Sequence, residues 1–143
     1  MLYRGILTKL EKSASGELSA EVELIKGQKI TGVEFIQDYG IATMPPIGSR
    51  VVIGFVLNGA GNATILKVEH PDYRPSLAPG EVGLYDSSGK LIKLDDGGNI
   101  EVNTKINSSK EIVAPEATIG GIAFTPHVHD GVQSGSSNTG GPQ

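Results

Sequence analysis

The chain has 143 residues, of which 38% are hydrophobic and only 5% aromatic, with 20 glycines and no tryptophan. These values fit one ordinary domain, or a small domain with an extension, and argue against a large monomeric core or a mainly helical fold. A net charge of −4 without a basic cluster argues against a nucleic-acid or anionic-membrane partner held by electrostatics, and the lack of cysteine excludes disulfides and thiolate metal sites.

The N-terminus, "MLYRGILTKLEK", has no apolar run long enough for a signal peptide. No stretch approaches the ~18 apolar residues of a membrane span, so synthesis and folding in a cytoplasm are expected. From here the periodicity is almost everywhere two. "YRGILTKL", "SAEVELI" and "GVEFIQ" alternate or nearly so, and "RVVIGFVL" and "ATILKVEH" are rich in β-branched residues. "NGAGN" between the last two reads as a hairpin loop. No helical stripe is evident, though residues 25–34 leave room for a short helical turn. About five strands in roughly 70 residues predict a small closed barrel or sandwich. The N-x-[ST] triplets at Asn62 and Asn107 read as turn residues rather than glycosylation acceptors.

"HPDYRPSLAPGE" (residues 70–81) holds three of the eight prolines and marks a boundary. Beyond it come very short β segments punctuated by "DSSG", "DDGG" and "NSS". Alternation puts Ile92, Leu94, Ile100, Val102 and Ile106 on one face, and Lys93, Glu101, Asn103 and Lys105 on the other. Short hairpins are marginal in water, so a lone chain of such pieces could not bury enough surface. Identical chains that share their apolar faces around an axis could. A homo-oligomer is therefore expected, and three is the smallest number that closes a prism.

Most catalytic signatures fail on context. "GAGNAT" is followed by a strand rather than by the helix a pyrophosphate would need, and "GQKITG" lacks the Lys and Ser/Thr of a phosphate loop. "DDGGN" (Asp95–Asn99) lacks a downstream bidentate Glu at calcium-loop spacing and reads as a hairpin turn. Glu34 and Asp38 read as solvent-facing carboxylates rather than a glycosidase pair. No nucleophile elbow supports a Ser-His-Asp site. His70, beside Pro71, reads as a surface residue.

His127 and His129 differ from these. On a strand, residues i and i+2 share a face, so both imidazoles project together. One chain offers too few ligands for a tight site, but three chains around an axis would offer roughly six nitrogens, enough for an octahedral shell. Zinc prefers a tetrahedron, so such a site favours iron(II), cobalt or nickel.

"IQDYGIATMPPIGSRVVIGF" (residues 36–55) and "DYRPSLAPGEVGLYDSSGKLIKL" (residues 72–94) closely resemble the baseplate central spike proteins of contractile-tailed phages of the Mu type. "HVHDGVQSGSSNTGGPQ" resembles the H-x-H tip of those spikes. The resemblance implies an all-β homotrimer. Its OB-fold-like collar, residues 1–75, would dock on the baseplate hub and tail tube. Residues 76–94 would form a neck and the start of a needle, 95–124 an intertwined trimeric β-prism or β-helix, and 125–143 a metal-capped tip. His127 and His129 of each chain would hold one octahedral iron per trimer, and the sequence leaves open further ions such as calcium or chloride inside the prism. The implied role is a non-enzymatic virion component, driven through the host outer membrane when the sheath contracts. The spike of a phage-derived bacteriocin or secretion injector would look the same, and an OB-fold module gripping nucleic acid or glycan is the main rival. Scarce aromatics and negative charge disfavour that rival.

Overall fold

A computed structural model describes residues 1–55 and 63–124. Among these the protein is all-β, with only two 3₁₀ turns, at Ile25–Gly27 and Pro71–Tyr73. The first is the short turn for which the sequence left room. By its contacts the chain divides after Lys105 into two units.

The five expected segments each contain a strand, although "GVEFIQ" supplies only the end of the third. The strands are β1 (Leu2–Lys12), β2 (Leu18–Glu23), β3 (Lys29–Glu34), β4 (Arg50–Phe55) and β5 (Ala63–Glu69). They close into a barrel in the order β1-β2-β3-β5-β4, so the long β1 pairs with both β2 and β4. All pairings are antiparallel except a single parallel step, Glu34 opposite Thr64, that closes β3 onto β5. Closure removes the open edges that would otherwise template aggregation. The residues of the expected "NGAGN" hairpin loop lie outside the described residues, but β4 and β5 do pair antiparallel, with Phe55 opposite Ala63.

Period-two alternation sends one set of side chains inward. Leu7, Ala20, Val22, Val33, Phe35, Val51, Ile53, Ala63 and Ile65 form the core, with Leu7, Val22, Val33 and Ile53 fully buried. Losing such a side chain to Ala costs about 2–5 kcal/mol. The register of β1 against β2 shifts between Leu7 and Lys9, a bulge in that pairing. On the other side of β1 the segment entering β4 extends the ladder past Ile6 and Arg50: Gly48 donates to the Leu7 carbonyl and Leu7 donates to the Ser49 carbonyl, each at 2.9 Å. Gly48 has φ of 93°, where a side chain would be strained. Ser49 is fully buried, and its hydroxyl donates to the Pro46 carbonyl at 2.7 Å.

After β5 come β6 (Val82–Tyr85), β7 (Leu91–Leu94) and β8 (Ile100–Val102), a three-stranded antiparallel meander. Within the second unit, β9 (Thr118–Ile119) and β10 (Ile122–Ala123) form a tight hairpin. Its two central residues, Gly120 and Gly121, both have positive φ, as the twist of a two-residue hairpin turn demands.

Gly5 is the tightest point of the barrel. A Cβ there would lie 2.4 Å from Val22 Cγ1 and 2.8 Å from the Glu23 carbonyl oxygen, and backbone cannot step aside cheaply. Gly5→Ala is therefore expected to destabilise the barrel by about 1–3 kcal/mol, read as a lower midpoint in urea with an unchanged slope.

Candidate functional site

The β6–β7–β8 meander holds the most informative surface. Its register places Val82 opposite Leu94 and Leu94 opposite Ile100, then Leu84 opposite Ile92 and Ile92 opposite Val102. These six residues form two rows of three on one face. Five of them are exposed, from 42% at Ile92 to 69% at Ile100, too much for residues that would normally be buried, while Val102 is half-buried. The sequence reading placed Ile92, Leu94, Ile100 and Val102 on this face correctly. It missed Val82 and Leu84, although "VGLY" carries the alternation. Ile106, also assigned to the face, lies past the end of β8 and is exposed.

The opposite face is fastened down. Leu77 lies over Gly83 beside Leu91; a Cβ on Gly83 would come within 2.9 Å of Leu91 Cδ1 and 3.6 Å of Leu77. Lys93 donates to Glu101 Oε2 at 2.8 Å and to Glu81 Oε1 at 3.1 Å. The hydrogen bonds it donates to Glu101 and then Glu81 hold the Lys93 ammonium well above the usual lysine range. Glu81 is held below the usual carboxylate range, first by the Ala78 N–H and then by Lys93. The polar side is thus anchored by charge and packing, and the apolar side is left bare.

Both connecting turns share one construction. Asp86 N–H donates to the Lys90 carbonyl and Asp95 N–H to the Asn99 carbonyl, while Gly89 and Gly98 take positive φ. In each, the aspartate side chain closes the loop. Asp86 Oδ1 accepts from the Ser88 and Lys90 N–H groups at 2.9 and 3.0 Å, and Asp95 Oδ1 accepts from Asn99 N–H at 2.7 Å. "DDGGN" is the hairpin turn expected from its sequence. Asn103, at the end of β8, reaches back to the first turn, accepting from Leu91 N–H at 2.8 Å and donating to the Gly89 carbonyl at 2.9 Å. The apolar face is therefore braced without help from another chain.

The other candidates separate clearly. His127 and His129 lie outside the described residues. Among the described residues no cluster of His, Asp or Glu is placed to hold a metal ion. Glu34 and Asp38 are exposed, as expected. His70 is a correction: it is half-buried rather than on the surface, with its ring 4.4 Å from that of Tyr73 and its Nδ1 buried without a partner. The 3₁₀ turn that follows Pro71 folds Tyr73 back onto it.

An alternating barrel, a meander with a bare apolar face and a C-terminal H-x-H stretch are the features to set beside known proteins. Residues 4–72 match the family described as Bacteriophage Mu Gp45, N-terminal, and residues 121–143 match the GpV Apex motif. His127 and His129 fall within the second match. Together these matches support a phage baseplate spike protein, a component of the virion's tail baseplate. A relative is the "Baseplate puncturing device gp45" of Escherichia phage Mu, 24% identical over 172 residues that take in 96% of this chain and 87% of the relative.

The Asp86 turn gives a direct test of the brace. Hydrogen bonds from the Ser88 hydroxyl, then from backbone N–H groups, lower the Asp86 carboxyl to about 2. A carboxyl lowered on folding stabilises above its unfolded pKa of about 3.9, and that contribution fades as pH falls through the folded value. Carboxyl-detected NMR should place the Asp86 midpoint near 2. Ser88→Ala should move it up toward the ordinary value.

Proposed function

We propose that this chain is the central spike of a contractile phage tail: a homotrimer driven through the host outer membrane when the sheath contracts. The observation that carries the reading is the six-residue apolar face of β6–β8, braced from behind and bare in front. Completing the burial of a half-exposed Leu or Ile returns about 1 kcal/mol, so three such faces meeting at an axis supply a substantial driving force. Ile112, Val113, Ile119, Ile122 and Phe124, exposed in the second unit, add apolar surface for the same purpose.

In this reading residues 1–75 form the collar that docks on the baseplate hub and tail tube, 76–94 the neck, 95–124 the trimeric needle and 125–143 the tip. A spike must transmit axial force without unravelling. Interchain β pairing around a dry axis suits that need, because many hydrogen bonds and apolar contacts would have to break together. Chain ends are where such a needle would fray. One iron ion held by His127 and His129 of all three chains would lock the ends together. The role is mechanical, with no turnover of peptidoglycan or nucleic acid. The full-length likeness to a puncturing device supports this reading.

Two measurements test it. Light scattering is expected to give about three times 14.9 kDa for the wild type, with Leu84→Asp and Ile92→Asp shifting the protein toward monomer while its circular dichroism stays β-rich. A wild-type monomer at micromolar concentration would end the spike reading. Elemental analysis is expected to find about one iron per three chains, and none after His127→Ala with His129→Ala. Each ligand must be a neutral imidazole with an unperturbed pKa of about 6.5, and metal binding depresses the apparent value. Tip stabilisation is therefore present at neutral pH and lost as acid protonates the ligands. A wild-type trimer without metal would reduce the H-x-H to a polar strand end.

A further inference from the structure

Between β3 and β4 the chain makes a long excursion whose apolar side chains mostly point outward: Ile36, Tyr39, Ile41, Met44 and Ile47 are all exposed. Such a loop would ordinarily be mobile, yet this one is clamped at its base. The Gln37 side-chain amide takes the place of a ladder strand, donating to the Thr43 carbonyl at 2.6 Å and accepting from Thr43 N–H at 2.8 Å. Inside the clamp, Ile41 N–H donates to the Asp38 carbonyl at 3.1 Å and Gly40 takes φ of 89°. The tip so held presents Tyr39 fully exposed, at 106%. A rigid turn that displays an unburied aromatic costs solvation and gains nothing for the isolated fold. It is the form of a preorganised anchor, whose ordering entropy is already spent before binding.

The same unit carries a matching recess. A cavity of about 490 Å³ lies between the root of this loop, the end of β5 and β6, lined in part by Met44, Pro46, His70, Tyr73, Leu84 and Tyr85. Its walls are thioether, proline and aromatic surface, suited to a ring. Leu84 belongs both to this wall and to the bare apolar face, so the recess is continuous with the surface assigned to the trimer. Tyr39 does not fill the recess of its own chain.

We propose that Tyr39 of each copy inserts into this recess of the next copy around the ring. This inference rests on the trimer proposed above and says how its members are ordered. Plug and socket are different surfaces of one chain, so the contact is head-to-tail and generates a closed ring rather than a two-fold dimer. The tyrosine would fix which neighbour meets which face, while the apolar sheet supplies most of the adhesion.

The test uses the full chain, whose lack of native cysteine makes engineered thiols unambiguous. Asp38→Cys and Ser87→Cys place thiols beside the plug and at the rim of the socket, both at exposed positions. Under mild oxidation the double variant should give covalent dimer and trimer. A single cysteine per chain can join only two chains, so neither single variant can reach trimer. Adding Tyr39→Ala should lower the cross-linked yield at least about tenfold. A trimer by light scattering that fails to cross-link, or cross-links equally well without Tyr39, overturns this contact and leaves the spike reading standing. Efficient dimer from Asp38→Cys alone would mean that loops meet loops, and overturns it too. A monomer under reducing conditions overturns both.

Discussion

Everything distinctive here follows from one mismatch: a sheet with two well-specified faces, of which the described residues cover only one. In β6–β8 the Lys93 ion pairs, the Leu77 contact over Gly83 and the Asn103 bridge fix the register from the polar side. A one-residue slip would exchange faces, putting Lys93 and Glu101 among the aliphatic rows and breaking both ion pairs. The apolar face is therefore held in place by what lies behind it. The barrel solves the same problem differently, by rolling its sheet until the apolar side meets itself.

Much of this was legible in the sequence because both solutions use period two. Four of the five barrel strands fall where alternation or β-branched content put them, β3 starts three residues before "GVEFIQ" and ends inside it, and the turn chemistry of "DSSG" and "DDGG" held because aspartate and glycine act locally. What alternation does not encode is which strands become neighbours. The parallel closure of β3 on β5 joins segments some 30 residues apart through a single residue pair, and nothing local announces it. Val82 and Leu84 escaped notice because Gly83 between them looks like a break. Its role, making room for Leu77 and Leu91, appears only in three dimensions.

The loop after β3 was illegible for another reason. Its apolar residues have no period, and the clamp that orders it is a side chain imitating backbone, Gln37 on Thr43. A string that the sequence offered only as a family likeness turns out to be a braced structure. His70 was misread because the 3₁₀ turn that brings Tyr73 back over it is invisible in a run that reads as proline-rich linker. The histidines of the tip, by contrast, were singled out by spacing alone, since their proposed partners are the same residues on other chains.

The two aspartate-closed turns begin nine residues apart, at Asp86 and Asp95, and each returns the chain to a strand with the same face outward. A meander of this kind is modular. Two further strand-and-turn units inserted between β7 and β8 would restore both strand direction and facing, leaving the barrel untouched. Length could then change in discrete steps while chemistry at either end stays constant. A protein whose task depends on reach could adjust it by copying a short phrase of its own sequence, without having to solve its fold again.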